Sequence, residues 1–369
     1  MTHYLPIGYT IQDPESLCEY TIKQVLGRGA STIAYLTTYS DGSGYFADRI
    51  VKEYYPSFME IVRDPNGSLR HESSDLDKYK AGVEQFICGG NMQNELRKRT
   101  YLRNETPPLQ RIFEANNTHY FDVTPFEGRT FDNIETFTLA ERIKICLATA
   151  KLINRYHQEG FLYLDLKPQN IFVLTNSHGE VVTDLVELID FDSVTRKDQI
   201  AFGKSLSFTK SWAAPEQTNP YSYRTISEAT DIYALGELVF WSIWGRHSTP
   251  EEHRGFSLYP FSEVQFAELR RPAQNLLFEL FRKTLRSSTR NRYSSVQPVI
   301  DILARISDDI NKREYIIESK IRPNMFFVGR ESEIHNLSVQ LNDEHLIFLQ
   351  GIGGIGKSEI AKQYAYSDL

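Results

Sequence analysis

Cysteine is nearly missing from this chain: among 369 residues there are three, Cys18, Cys88 and Cys146. An odd, sparse set without CxxC spacing argues against a disulfide frame or a zinc site and for a reducing, cytoplasmic setting. Also lacking is any apolar run of the roughly 18–20 residues a membrane span needs, so no membrane partner is expected. The opening segment, "MTHYLPIGYTIQDPE", has neither the basic stretch nor the apolar core of a secretory signal. Positive charge is in deficit, with 41 Lys and Arg against 48 Asp and Glu and a formal net charge of −7. That balance makes nucleic acid a poor partner. Internal repeats and low-complexity segments are absent as well.

What is present is a composition of 41% hydrophobic and 24% charged residues, that of a soluble globular protein with length enough for two cores. Short β-rich runs dominate from Tyr20 to about Asn116, broken by a polar stretch, "RDPNGSLRHESSDLDK". From about Leu139 to Ile306 the apolar spacing turns helical. "LAERIKICLATAKLINRYHQ" puts Leu139, Ile143, Cys146, Leu147, Ala150 and Ile153 on one face, which makes Cys146 a core residue. "FLYL" and "IFVL" read as strands flanking a polar turn, and "TDIYALGELVFWSIWG" as a long apolar helix. A small β-rich part before a larger helical part predicts a two-lobed α+β domain. The charged stretch 307–320 suits either a continued helix or a linker, and Pro323 ends any helix there.

Chemistry concentrates in "YLDLKPQNIFVL". Asp165, Lys167 and Asn170 share one tight loop between apolar strands, and "LIDFDS" places Asp190 after another strand. Phosphoryl transfer needs such a set: a carboxylate to accept a hydroxyl proton, a cation on the phosphate and oxygen ligands for Mg²⁺. Upstream, "LGRGAS" supplies a Gly-rich hairpin turn and "RIVKEYYP" supplies Lys52 on the next strand.

Together these segments, over roughly 20–306, resemble the eukaryotic-like protein kinases common in bacteria. The resemblance implies transfer of the ATP γ-phosphate to Ser or Thr hydroxyls of a protein substrate. It matches Gly27 and Gly29 to the Gly-rich loop and Lys52 to the lysine that holds the α/β-phosphates. It makes Asp165 the catalytic base, Lys167 the contact to the γ-phosphate, and Asn170 and Asp190 the Mg²⁺ ligands. Glu216 in "AAPE" then pairs with Arg292, Asp231 braces the catalytic loop, and Thr209 bonds near Asp165. Val123 falls at the gatekeeper position, with a hinge at about Thr124–Phe126 meeting the adenine. The glutamate that pairs with Lys52 is ambiguous. Counting forward from "AGVEQF" puts Gly89 at its position, and counting back from "EANNTHYFDV" puts Glu95 there, with "CGG" expected to interrupt the helix between them. Glu95 is favoured.

Three departures stand out. Thr32 replaces the third loop glycine, Tyr163-Leu164 replaces the His-Arg before the base, and Asp192 follows Asp190-Phe191 where the family has glycine. They leave open a pseudokinase-like module that holds ATP without transferring it.

Near the other end, "GIGGIGKS" satisfies GxxxxGK[ST] with Gly351, Gly356, Lys357 and Ser358, a phosphate cradle between an expected strand, "HLIFLQ", and a helix. With "FFVGRESEI" ahead of it, the segment resembles the entry of STAND-class NTPases of the NB-ARC and NACHT kinds. The expected organisation is an extension over 1–19, the kinase-like domain over 20–306, a linker over 307–324 and the start of a P-loop domain over 325–369. The resemblance implies the front part of a longer protein, self-associating through the rest of that NTPase.

Overall fold

Apolar residues alternate with polar ones along the first long β-rich runs, so each run presents one face to a core. In the computed structural model Tyr20, Ile22, Ile33, Tyr35 and Val51 are the buried residues of those faces. The structure describes residues 3–98, 109–125, 127–176, 178, 180–200, 208–255, 269–317, 329–343 and 347–367.

The N-terminal lobe opens with β1 (Thr10–Gln12), β2 (Glu19–Arg28), β3 (Thr32–Ser40) and β4 (Phe46–Tyr54). A small hairpin of β5 (Ile61–Arg63) and β6 (Leu69–His71) precedes helix α1 (Leu76–Lys98), and β7 (Leu109–Ala115) and β8 (Thr118–Val123) follow. β1, β2, β3, β4, β8 and β7 form, in that order, one six-stranded antiparallel sheet. Asn116 and Asn117 turn the β7–β8 hairpin at φ 52° and 58°, the left-handed pair that a two-residue turn requires. The expected extension over 1–19 joins this lobe: β1 pairs with β2, and Leu5, Ile11 and Cys18 are buried in its core.

The polar stretch after β4 has a structural use. Arg63 reaches from β5 into the lobe and makes a bidentate pair with buried Glu53, at 3.0 and 2.6 Å. Tyr35 and Tyr120 donate their hydroxyls to the same carboxylate, at 3.0 and 2.6 Å. A buried charge is tolerable when so fully partnered. Alternation then turns the neighbouring residue, Lys52, to the opposite face of β4.

β9 (Gly128–Thr130) leads to the helical lobe: α2 (Leu139–Gln158), β10 (Phe161–Leu162), β11 (Ile171–Thr175), β12 (Val181–Leu188) and β13 (Thr195–Arg196). After them come α3 (Pro215–Thr218), α4 (Glu228–Trp244), α5 (Pro250–Gly255), α6 (Arg271–Thr284) and α7 (Gln297–Ile317). Thr138 and Glu141 form a capping box that starts α2. Its apolar stripe packs on α4 and α7, with Cys146 fully buried. α4 is apolar nearly all round and runs through the middle of the lobe, ending at Gly245 with φ 67°. The charged stretch after Ile306 continues as helix to Ile317, so α7 overruns the expected domain edge.

Beyond it, α8 (Glu331–Asp343) and α9 (Lys357–Ser367) flank the glycine-rich loop. Residues 347–350 of the expected strand are not strand, since no ladder partner meets them among the described residues. Also among the described residues, no helix is long and apolar enough to cross a membrane.

Candidate active site

Two short strands, β10 and β11, hold the ends of the polar loop, and a buried carboxylate fixes its middle. Asp231, at the start of α4, accepts the backbone amides of Tyr163 (2.9 Å) and Leu164 (2.8 Å) and the Nε2–H of His157 (2.7 Å). Leu164 stands at φ 65°, a conformation costing a non-glycine residue about 1–2 kcal/mol. Gln217 caps its carbonyl at 2.8 Å, and its side chain packs with Leu162 and Ile226. Leucine thus fills with apolar contact the place where the kinase resemblance has arginine. The strained residue turns the next side chain, Asp165, out of the core into the cleft.

Around Asp165 the expected groups converge. Its Oδ1 accepts the Thr209 amide at 2.7 Å, and its Oδ2 accepts Lys167 Nζ at 2.6 Å. Lys167 also donates to Thr209 Oγ1 at 2.8 Å. Asn170 donates its amide N–H to the Asp165 carbonyl at 2.9 Å, so its amide oxygen is the atom that could meet a metal ion. That oxygen and the Asp190 carboxylate are hard donors of the kind Mg²⁺ takes, and the residues present fit the ion. Among the described residues no group of three or more His, Cys, Asp or Glu is placed to hold a metal ion by itself.

Lys52 reaches across from β4 and donates to the Ile189 carbonyl at 2.6 Å, just before Asp190. Glu95 lies elsewhere: it pairs with Arg196 of β13 at 2.9 Å. Nor is the helix interrupted at "CGG". α1 is continuous through Gly89 and Gly90, both buried. Glycine weakens a helix by about 1 kcal/mol, and here it permits contact: a Cβ at residue 89 would stand 3.1 Å from Asp192 Cα, Asp192 Oδ1 and the Phe191 carbonyl. Asp192 is thereby turned inward against the helix. Burial first, then the Asp190 carboxylate, push its carboxyl up to about 8, against the opposing pull of Lys52. Phe191 packs edge-on to Tyr163, with ring centres 6.3 Å apart, in the core of the helical lobe.

The Gly-rich turn closes through Gly29 N–H to the Thr32 carbonyl (2.8 Å), while Gly27 pairs with Ala34 across the hairpin. Its tip is tied down, for the Ala30 carbonyl accepts Ser57 N–H (2.7 Å) and the Ser57 hydroxyl (2.9 Å). Val123 is buried at the end of β8, and Thr124 accepts a hydrogen bond from Arg49 at 3.2 Å. Phe126 lies outside the described residues. Glu216 and Arg292 form a buried bidentate pair at 2.7 and 2.9 Å.

In the C-terminal segment, Lys357 Nζ donates to the carbonyls of Gly351 (2.9 Å) and Ile352 (3.0 Å), and Gly356 has φ 90°. Ser358 follows Lys357 in the first turn of α9.

Sequence reasoning missed Gln217, His157, Ser57 and Arg196. Gln217 was within reach, since it directly follows the motif glutamate. The other three act through contacts distant in sequence, and no local pattern marks them.

A family profile described as the protein kinase domain matches residues 20–299. A probable serine/threonine-protein kinase of Clostridium perfringens is 25% identical over 305 residues, covering 79% of this chain and 39% of that protein. The serine/threonine-protein kinase PknD of Protochlamydia amoebophila is 27% identical over 271 residues, covering 63% and 26%. The peroxide stress-activated histidine kinase mak3 of Schizosaccharomyces pombe is 23% identical over 279 residues, which are 63% of this chain and 12% of that protein. The chain therefore spans well under half the length of these relatives. Among solved structures, one titled "PpkA-294 apo form" superposes with a TM-score of 0.60 at 21% identity, covering 82% of this chain and all of that one, a likeness of fold. With the match running from β2 into α7, and the loop geometry lying inside it, the chain belongs to the protein kinase domain family.

Proposed function

We propose that this domain transfers the γ-phosphoryl group of ATP to serine or threonine hydroxyls of a protein substrate, with Asp165 as the base. One observation carries the reading: Asp165, Lys167 and Asn170 of one loop and Thr209 of a later segment are joined by hydrogen bonds of 2.6–2.9 Å. Asp165 can accept the acceptor hydroxyl's proton as the oxygen attacks. Lys167, held beside it, can neutralise charge on the transferred group, and the Thr209 contact sets its direction. Lys52 can take the α/β-phosphates in place of the Ile189 carbonyl. Gly27 and Gly29 let the hairpin backbone approach them, and the backbone near Val123 and Thr124 can meet the adenine. Asn170 and Asp190 would hold Mg²⁺, which would offset phosphate charge.

The test is transfer from labelled ATP to a generic basic protein with and without Mg²⁺, in the parent and in Asp190→Ala. Metal-dependent transfer lost in the variant supports the assignment. Nucleotide binding that needs no metal, with no transfer to any acceptor, would favour a module that only holds ATP.

A second nucleotide site is proposed for Gly351–Ser358, as the opening of a P-loop domain of STAND type. The Lys357 ammonium folded onto the loop carbonyls supports it, because a phosphate can displace those weak acceptors. Equilibrium dialysis should then find two nucleotides per chain, and one after Lys357→Ala. In a longer form carrying further NTPase segments, self-association would follow from that site.

A further inference from the structure

Strand register gives the Gly-rich hairpin two faces. Gly27 pairs with Ala34 and Ala34 with Lys52, so these three share one face, while Arg28, Ile33 and Glu53 share the other in the same way. The tip between β2 and β3 is not left free, because the ladder runs on past the start of β3 and the end of β4. Tyr55 N–H donates to the Ser31 carbonyl at 2.8 Å, and Ser57 gives both its N–H (2.7 Å) and its hydroxyl (2.9 Å) to the Ala30 carbonyl. We propose that residues 55–57 are a latch that sets the Gly-rich hairpin in its phosphate-facing position before nucleotide arrives, with Ser57 as its positioning residue.

The latch is itself anchored. Tyr55 is buried, and its hydroxyl donates to the Ile61 carbonyl at 3.2 Å. The Arg28 guanidinium stands 5.1 Å from the centre of the Tyr55 ring and that of Arg63 5.2 Å, and Arg63 is paired with buried Glu53 at 2.6 Å. Glu53 neighbours Lys52 in β4, so the hairpin tip and Lys52 are carried by one connected block. Arg28 belongs to the face away from Lys52, so a nucleotide on the Lys52 side need not displace its contact with Tyr55. Inside the tip, Gly29 N–H on the Thr32 carbonyl (2.8 Å) keeps the turn closed. Ser57 is exposed, so no core packing calls for a serine there. The Ala30 carbonyl accounts for it, since two lone pairs take both of its donors. A hairpin already in place loses less freedom on binding than a loose one, and the gain falls on the phosphate-bearing part of the ligand.

The inference rests on the reading of Gly27, Gly29 and Lys52 as phosphate-holding groups, and Lys52→Ala tests that separately. If Lys52→Ala leaves ATP affinity unchanged, the reading fails and the inference with it. Two measurements on the full chain address the latch itself. The first, amide hydrogen exchange, needs no nucleotide. The Ser57 amide should be protected in the free parent, and Ser57→Ala should speed exchange across residues 28–32 by about threefold or more. The second compares equilibrium binding of ATP and of adenosine, both with Mg²⁺ and in a Lys357→Ala background that removes the other proposed nucleotide site. Ser57→Ala should weaken ATP by about threefold, and by about tenfold when combined with Arg28→Gln. Adenosine has no phosphate for the hairpin to meet, so its affinity should stay within about twofold. Ser57→Thr keeps the hydroxyl and should bind ATP as the parent does. A merely structural role for Ser57 weakens both ligands alike, so equal losses for ATP and adenosine would overturn the proposal. An unprotected Ser57 amide in the free parent would do the same, as would a double variant that binds ATP within about twofold of the parent.

Discussion

Asp231 holds the backbone amide of Leu164 at 2.8 Å while Leu164 sits at φ 65°. A residue in α4 thus maintains an unfavourable conformation one position before Asp165. Asp231→Ala would leave the Tyr163 and Leu164 amides buried without an acceptor, at about 1–3 kcal/mol each. With the left-handed residue no longer held, the loop is expected to relax and Asp165 to leave its bonds to Thr209 and Lys167. Melting temperature and phosphoryl transfer should fall together, transfer by at least about tenfold, as for misplacement of a reacting group. Parent-like values of both would show that Gln217 and packing alone hold the turn.

Asp165→Asn separates chemistry from binding. An asparagine keeps an acceptor for the Thr209 amide but cannot take a proton from a hydroxyl. Transfer should drop by about 10²–10⁴, the usual range for a lost general base, while ATP affinity stays within a few-fold. Undiminished transfer would remove Asp165 from the role of base.

The Glu216–Arg292 pair is buried, with Arg292 also donating to the Ala229 carbonyl at 2.9 Å and Thr230 donating to Glu216 at 2.8 Å. Removing one partner strands the other charge, so Arg292→Ala or Glu216→Ala should each destabilise by about 3–5 kcal/mol in denaturant titrations. The double variant is expected to cost much less than the sum of the two. Additive losses would mean that the charges are not coupled.

Cys146 offers a test of core packing through pH. Burial pushes its thiol from 9 up to about 12, so it stays neutral at pH 8 in the folded chain. Cys88, partly exposed, should be alkylated many times faster. Because the folded pKa is the higher one, the contribution to stability is complete below about 9 and is lost as pH rises from there toward 12. Equal alkylation rates at pH 8 would mean that α2 opens locally.

The amino-acid sequence by itself marked the candidate constellation, since Asp165, Lys167 and Asn170 lie within six residues and loop chemistry of that density has few other uses. It likewise marked Glu216, Arg292 and Asp231, whose motifs are short and fall in order, and the helical face of α2, because its period is local. The partner of Lys52 was not legible. Two counts along the chain gave Gly89 or Glu95, and both treated glycines as a break in a helix that runs unbroken. Isolated propensity says glycine weakens a helix; the decision came from what lies against it, a loop backbone about 100 residues away that a side chain would strike. The end of α7 was left open, and the strand expected at "HLIFLQ" is not formed at residues 347–350, for a related reason. A charged stretch becomes helix, and an apolar one becomes strand, according to the neighbours it meets. Tertiary structure alone supplied those neighbours, because contact between distant segments depends on how the whole chain packs and leaves no period or spacing in the local sequence.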